Sequence, residues 1–107
     1  MNEKFRVLNR ETELLIEEKK RAEINLDYID YQIWIYEEKV DSLVVHWKTM
    51  SPDFINRHFL FLNRRIDDLQ EERTKLVYIL GEMNRCLRTN EEKIWNIVEA
   101  KTIPVLI

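Results

Sequence analysis

His46 and His58 are the only histidines in the chain, and they flank the stretch Thr49-Met50-Ser51-Pro52-Asp53. Reflected through Ser51 they come close to facing positions, which suits a metal-binding or pH-sensitive pair, since imidazole titrates near neutrality and ligates metals. A zinc set needs three or four donors, and no Cys or carboxylate is obviously placed to complete one. Asp27 and Asp30 are i,i+3 neighbours without the His that diiron carboxylate bundles place at that spacing. Asp67-Asp68 and Glu71-Glu72 read as solvated helix faces. Cys86 is the lone cysteine, which excludes an internal disulfide and fits a reducing compartment or a small buried thiol. It has no evident activating base. The one glycine, Gly81, falls inside a helical pattern, so no phosphate-cradling loop is present. The expectation is a protein that is not an enzyme and needs no metal and no cofactor.

The elements that hold these residues are two long helices. Ser51 is a good N-cap, Pro52 suits the first helical position, and Asp53 places a negative charge at the positive end of the helix dipole. Proline disfavours helix at the residue before it, so a first helix over 5–48, a turn at 49–51 and a second helix over 52–101 are expected. In the first arm Phe5, Thr12, Lys19, Leu26, Ile33, Val40 and Trp47 recur every seven residues. Leu8, Leu15, Ala22, Ile29, Tyr36 and Leu43 follow three residues later. In the second arm Phe59, Ile66, Arg73, Leu80, Leu87 and Ile94 form one row, and Leu62, Leu69, Leu76, Met83, Asn90 and Ile97 the other. These are the a and d positions of a heptad repeat.

Reflection through Ser51 pairs a with d in every layer. Ile33 meets Leu69, Leu26 meets Leu76, Ala22 meets Leu80, and Leu15 meets Leu87. Thr12 meets Asn90 as one polar layer. Lys19 opposite Met83 and Arg73 opposite Ile29 are the exceptions, long basic chains able to snorkel out of a seam. The fold class expected is all-α: a long, coiled-coil-like antiparallel two-helix hairpin, a rod about 60 Å long at about 1.5 Å per residue.

Several apolar residues lie off the seam: Ile24, Tyr28, Tyr31, Trp34, Ile35 and Val45 in the first arm, Leu60, Phe61, Val77, Tyr78 and Ile79 in the second. A helix with one partner does not need them, and a lone two-helix hairpin buries little surface. Association is expected, most simply of two hairpins into a four-helix bundle. The partner is a protein, giving a homodimer or a heterodimer with a related hairpin. Glu17 with Arg21 reads as an i,i+4 ion pair. Gly81 suggests a close backbone approach near Leu80 and Ala22, or a bend. Thr89 with Glu92 resembles a capping box, so the second helix can break near 89–91. An apolar tail, 102–107, with Pro104 in its middle, follows the second helix.

The chain has 107 residues, enough for one domain. Charged residues make up 35% and the net charge is −3. Acids and bases are interleaved, so no field recruits nucleic acid. No apolar run reaches the ~18–20 residues of a membrane span, and Met1-Asn2-Glu3-Lys4 does not open a signal peptide. A cytoplasmic protein is expected, or one exported without a cleavable signal.

A hairpin of this length with Trp47-Lys48-Thr49 at its turn, followed by Ser51 and Phe54, resembles the WXG family of type VII secretion. Thr49 stands where that family has Gly. The turn residues carrying the likeness are Trp47, Thr49, Ser51, Pro52 and Phe54. Tyr78 with Glu82, or Trp95 with Glu99 with Trp in place of Tyr, is similar to the family's Tyr-x-x-x-acid export pattern. The resemblance implies a dimeric four-helix bundle that is exported, or that acts as chaperone to an exported toxin by pairing with its helical domain. Tyr28-Ile29-Asp30-Tyr31-Gln32-Ile33-Trp34-Ile35-Tyr36-Glu37 also looks like the dimerising helix of MerR-type regulators, without a DNA-reading domain before it. The leading expectation is a protein–protein interaction module that dimerises through an apolar helical face. The alternatives are a coiled-coil regulatory or adaptor subunit and a coiled-coil component of another secretion system. A ligand-binding module would use His46 and His58, with Lys19 and Arg73 as anion contacts.

Overall fold

The computed structural model describes the backbone of residues 3–106 and the side chains of 3–100. Helix α1 spans Glu3–His46, a 3-10 turn spans Trp47–Thr49, and helix α2 spans Pro52–Leu106. No strand is present among the described residues. The protein is an all-α helical hairpin.

The turn is built by short-range hydrogen bonds. Thr49 Oγ1 donates to the His46 carbonyl at 2.9 Å, and the Met50 amide donates to the Trp47 carbonyl at 3.3 Å. Met50 is extended, with φ −112° and ψ 154°, as expected one residue from the Ser51-Pro52 start. Ser51 caps α2: its Oγ accepts from the Phe54 amide at 3.2 Å, and its carbonyl accepts from the Ile55 amide at 3.1 Å. This satisfies amides that otherwise lack an intrahelical partner. Helix α1 stops two residues earlier than expected. Trp47 therefore leaves the seam and is exposed, although heptad spacing alone places it on the a row.

Packing divides the chain into two compact units. The unit that contains the turn, Ile24–Val77, has Ile33, Leu43, Leu62 and Leu69 as its buried core. Leu26, Ile29, Tyr36, Val40, Phe59, Ile66 and Leu76 are half-buried beside them. Every residue of this set is an a or d residue of the heptad reading. Arg73 is the exception on the seam. Its Nε donates to Asp30 Oδ1 across the two helices at 2.6 Å, so the guanidinium leaves the core as a snorkelling base should.

The other unit joins the N-terminal arm through Glu23 to the C-terminal arm from Tyr78. Ala22, Leu87 and Thr12 are buried in it, and Leu8, Leu15, Leu80, Met83, Asn90, Ile94 and Ile97 are half-buried. The Thr12 hydroxyl donates to the Leu8 carbonyl at 2.7 Å, and no hydrogen bond joins it to Asn90. Thr12 is thus a buried polar seam residue whose hydroxyl is satisfied by its own helix. Lys19 Nζ lies 3.8 Å from Glu23 Oε1. Arg21 makes no ion pair with Glu17, contrary to the sequence expectation.

Helix α2 runs unbroken through 89–91. Thr89 Oγ1 donates to the Arg85 carbonyl at 3.0 Å, the back-bond of an interior helical residue rather than the reach of a cap. A methyl group at Gly81 would meet no atom within 4 Å, so no close approach explains that glycine. The helical backbone continues through Leu106, beyond the expected end at 101. Tail side chains and Ile107 lie outside the described residues.

Candidate interaction face

The off-seam apolar residues separate by helical face. On α1, Ile24, Tyr28, Tyr31 and Ile35 are spaced four, three and four residues apart. With a and d on the seam, they occupy the c and f positions. At 100° per residue, that stripe lies about 160° round the helix from the seam. It therefore points away from α2. Ile24 is 67% exposed, Trp34 56% and Val45 74%. Tyr28 and Tyr31 are exposed too, whereas Ile35 is half-buried.

Trp34 borders the stripe and stacks on Tyr31, with ring centroids 6.2 Å apart at an interplanar angle of 30°. Gln32 Nε2 donates to Tyr28 Oη at 3.4 Å. These local contacts hold aromatic surface in place without burying it. On α2, the outer c and f positions beyond Phe61 are Arg64, Asp68, Glu71 and Lys75, all exposed. Alongside that charged face, α1 alone carries a second apolar seam.

The remaining candidates do not join this stripe. Leu60 and Val77 are exposed on α2, and Tyr78 belongs to the other compact unit. Phe61 lines an open groove of about 730 Å³ next to the turn, with Tyr36, Leu43, Met50, Phe54 and Leu62. Lys39, Arg57 and His58 also line it, and no carboxylate does. The sequence reading missed this groove. Its signal was the pair of aromatics Phe54 and Phe61 seven residues apart, next to the basic Arg57-His58.

The turn residues act structurally. Thr49 and Ser51 supply the bonds described above, Pro52 opens α2, and Phe54 packs on His58 with centroids 4.1 Å apart. Trp47 is exposed, with Lys48 Nζ 5.8 Å from its ring centroid.

The suspected chemical groups are engaged elsewhere. His46 Nδ1 is hydrogen-bonded to the Ser42 carbonyl at 2.9 Å, while His58 faces the groove. Lys19 and Arg73 each lie beside a carboxylate, Glu23 and Asp30. Cys86 is exposed rather than buried. Among the described residues, no group of three or more His, Cys, Asp or Glu could hold a metal ion. No described helix is long and apolar enough to cross a membrane. No protein-family model, curated protein or solved structure matches the chain.

Proposed function

We propose that the protein is a non-enzymatic interaction module that dimerises through the apolar outer face of α1. The observation that carries this reading is the exposed cluster Ile24, Tyr28, Tyr31 and Trp34, present on α1 while the equivalent face of α2 is charged from Arg64 to Lys75. Burying a large apolar side chain is worth about 1.5–3 kcal/mol. With a third or so of each already covered, about 1–2 kcal/mol per residue remains. Two copies bring eight such residues, a gain comparable to the roughly 4–15 kcal/mol that association costs in lost freedom. A thin two-helix core also benefits from the extra burial.

Trp34→Glu tests the reading. Light scattering should show loss of the associated species while circular dichroism keeps its helical signal. Unchanged mass sinks the assignment. The partner is a second copy or a related hairpin. A protein that is monomeric alone and forms a one-to-one complex with a neighbouring-gene hairpin would support the secretion-escort role that the WXG resemblance implies.

A further inference from the structure

We infer that the occupant of the α1 outer stripe is the same stripe of a second copy, running antiparallel in one defined register. This rests on the dimerisation reading above and specifies its geometry. When Tyr28 of one copy faces Tyr31 of the other, Ile24 faces Ile35, and both pairs occur twice by two-fold symmetry. Such a pairing places a c residue against an f residue in each layer, as an antiparallel seam requires.

Charge supplies the independent argument. In this register the next layer puts Arg21 against Glu38 of the second copy. The flanking positions put Glu18 against Lys39 and Lys20 against Asp41. All six side chains belong to exposed residues, and among the described residues none of them makes an ion pair within its own chain. The remaining flanks pair Asn25 with Gln32 and Asp27 with Trp34, so no like charges face each other over this length. A parallel pairing in register would set Arg21 and Glu38, which lie on the stripe itself, each beside its own copy. Like-charge juxtaposition of that kind selects against the parallel arrangement.

Within Ile24–Val77 the stripe lies nearly opposite the seam with α2, so in this unit the two α1 segments meet directly and each α2 segment lies on the far side. This differs from a four-helix bundle sharing one central core.

Two experiments test the register, both on the full chain. Arg21→Glu and Glu38→Arg should each weaken dimerisation about tenfold, because symmetry introduces each repulsion twice. The double substitution should return the dissociation constant to within about threefold of the parent. In a Cys86→Ser background, Ile24→Cys and Ile35→Cys proteins should form a disulfide-linked dimer when mixed. Neither should do so alone, since identical positions are offset by about 16 Å along the helix. Cross-linking of either variant alone, or a double reversal no better than the singles, overturns the register. A parent that is dimeric but indifferent to both tests overturns it while leaving dimerisation standing. A monomeric parent overturns the register and the self-pairing, and leaves only pairing with a related hairpin standing.

Discussion

Arg73 reaches from α2 to Asp30 on α1, Nε to Oδ1 at 2.6 Å. Arg73 occupies an a position of the seam, and Asp30 adjoins the Ile29 that the mirror register assigns opposite it. The contact is therefore evidence for the register as well as an ion pair. Both side chains are nearly half exposed, 46% and 45%, so the pair is worth well under the value of a buried one. The position itself suits an apolar residue. Arg73→Leu is expected to raise stability by about 1 kcal/mol, read as a higher urea midpoint at unchanged slope. A lower midpoint would show that the ion pair outweighs the apolar contact.

Leu69 has no exposed surface at all, unlike any other described side chain of the core. Its truncation leaves a void that a two-helix core closes only by local collapse. Leu69→Ala should cost about 2–5 kcal/mol, more than Leu26→Ala or Leu76→Ala at half-buried positions. Equal losses at the three sites would contradict the placement of the core around Leu69.

Gly81 sits inside α2 with room for a methyl group. Its φ is not positive, so Ala adopts the same backbone without strain. Gly81→Ala should stabilise by about 0.5–1 kcal/mol through helix propensity and a less flexible unfolded chain. Loss of stability would mean that the glycine serves an approach by another molecule.

The heptad rows were legible because burial in a hairpin depends on periodicity alone. Each a and d residue from Phe5 to Leu43 is buried or half-buried. What escaped the sequence was local competition for hydrogen bonds. Thr89 looked like a cap, but its hydroxyl turns back to the carbonyl four residues earlier, as does that of Thr12, which is buried on the seam. Trp47 follows the heptad count, yet the Thr49 hydroxyl and the Met50 amide tighten the chain into a 3-10 turn just there. The apolar surplus was legible as a set. Its division into a stripe on α1 and a groove at Phe61 required asking which face each residue occupies, a question that the seam rows do not pose.

Ser51 caps the start of α2 with its side chain, accepting from the Phe54 amide at 3.2 Å. Ser51→Ala should cost about 1 kcal/mol, and Ser51→Asp should retain most of the stability because a carboxylate accepts the same bond. The comparison is made by thermal melting at one protein concentration. A cap that Ala replaces without loss would leave Pro52 alone as the determinant of the helix start.

Trp34 and Phe61 are both large, aromatic and exposed, but they lie on different surfaces of the turn-containing unit. Trp34 borders the α1 stripe, and Phe61 lines the basic groove beside the turn. If the stripe alone drives association, Phe61→Glu leaves the mass in solution unchanged while Trp34→Glu lowers it. The introduced carboxylate at 61 would stand near Lys39, Arg57 and His58, which also line that groove, so folding should not suffer from uncompensated charge. Sedimentation of the two variants at matched concentrations measures the difference. Equal dissociation by both substitutions would enlarge the interface to include the groove and would bring α2 into contact with the second copy. That contact is incompatible with two α1 segments meeting directly and each α2 segment of this unit lying on the far side.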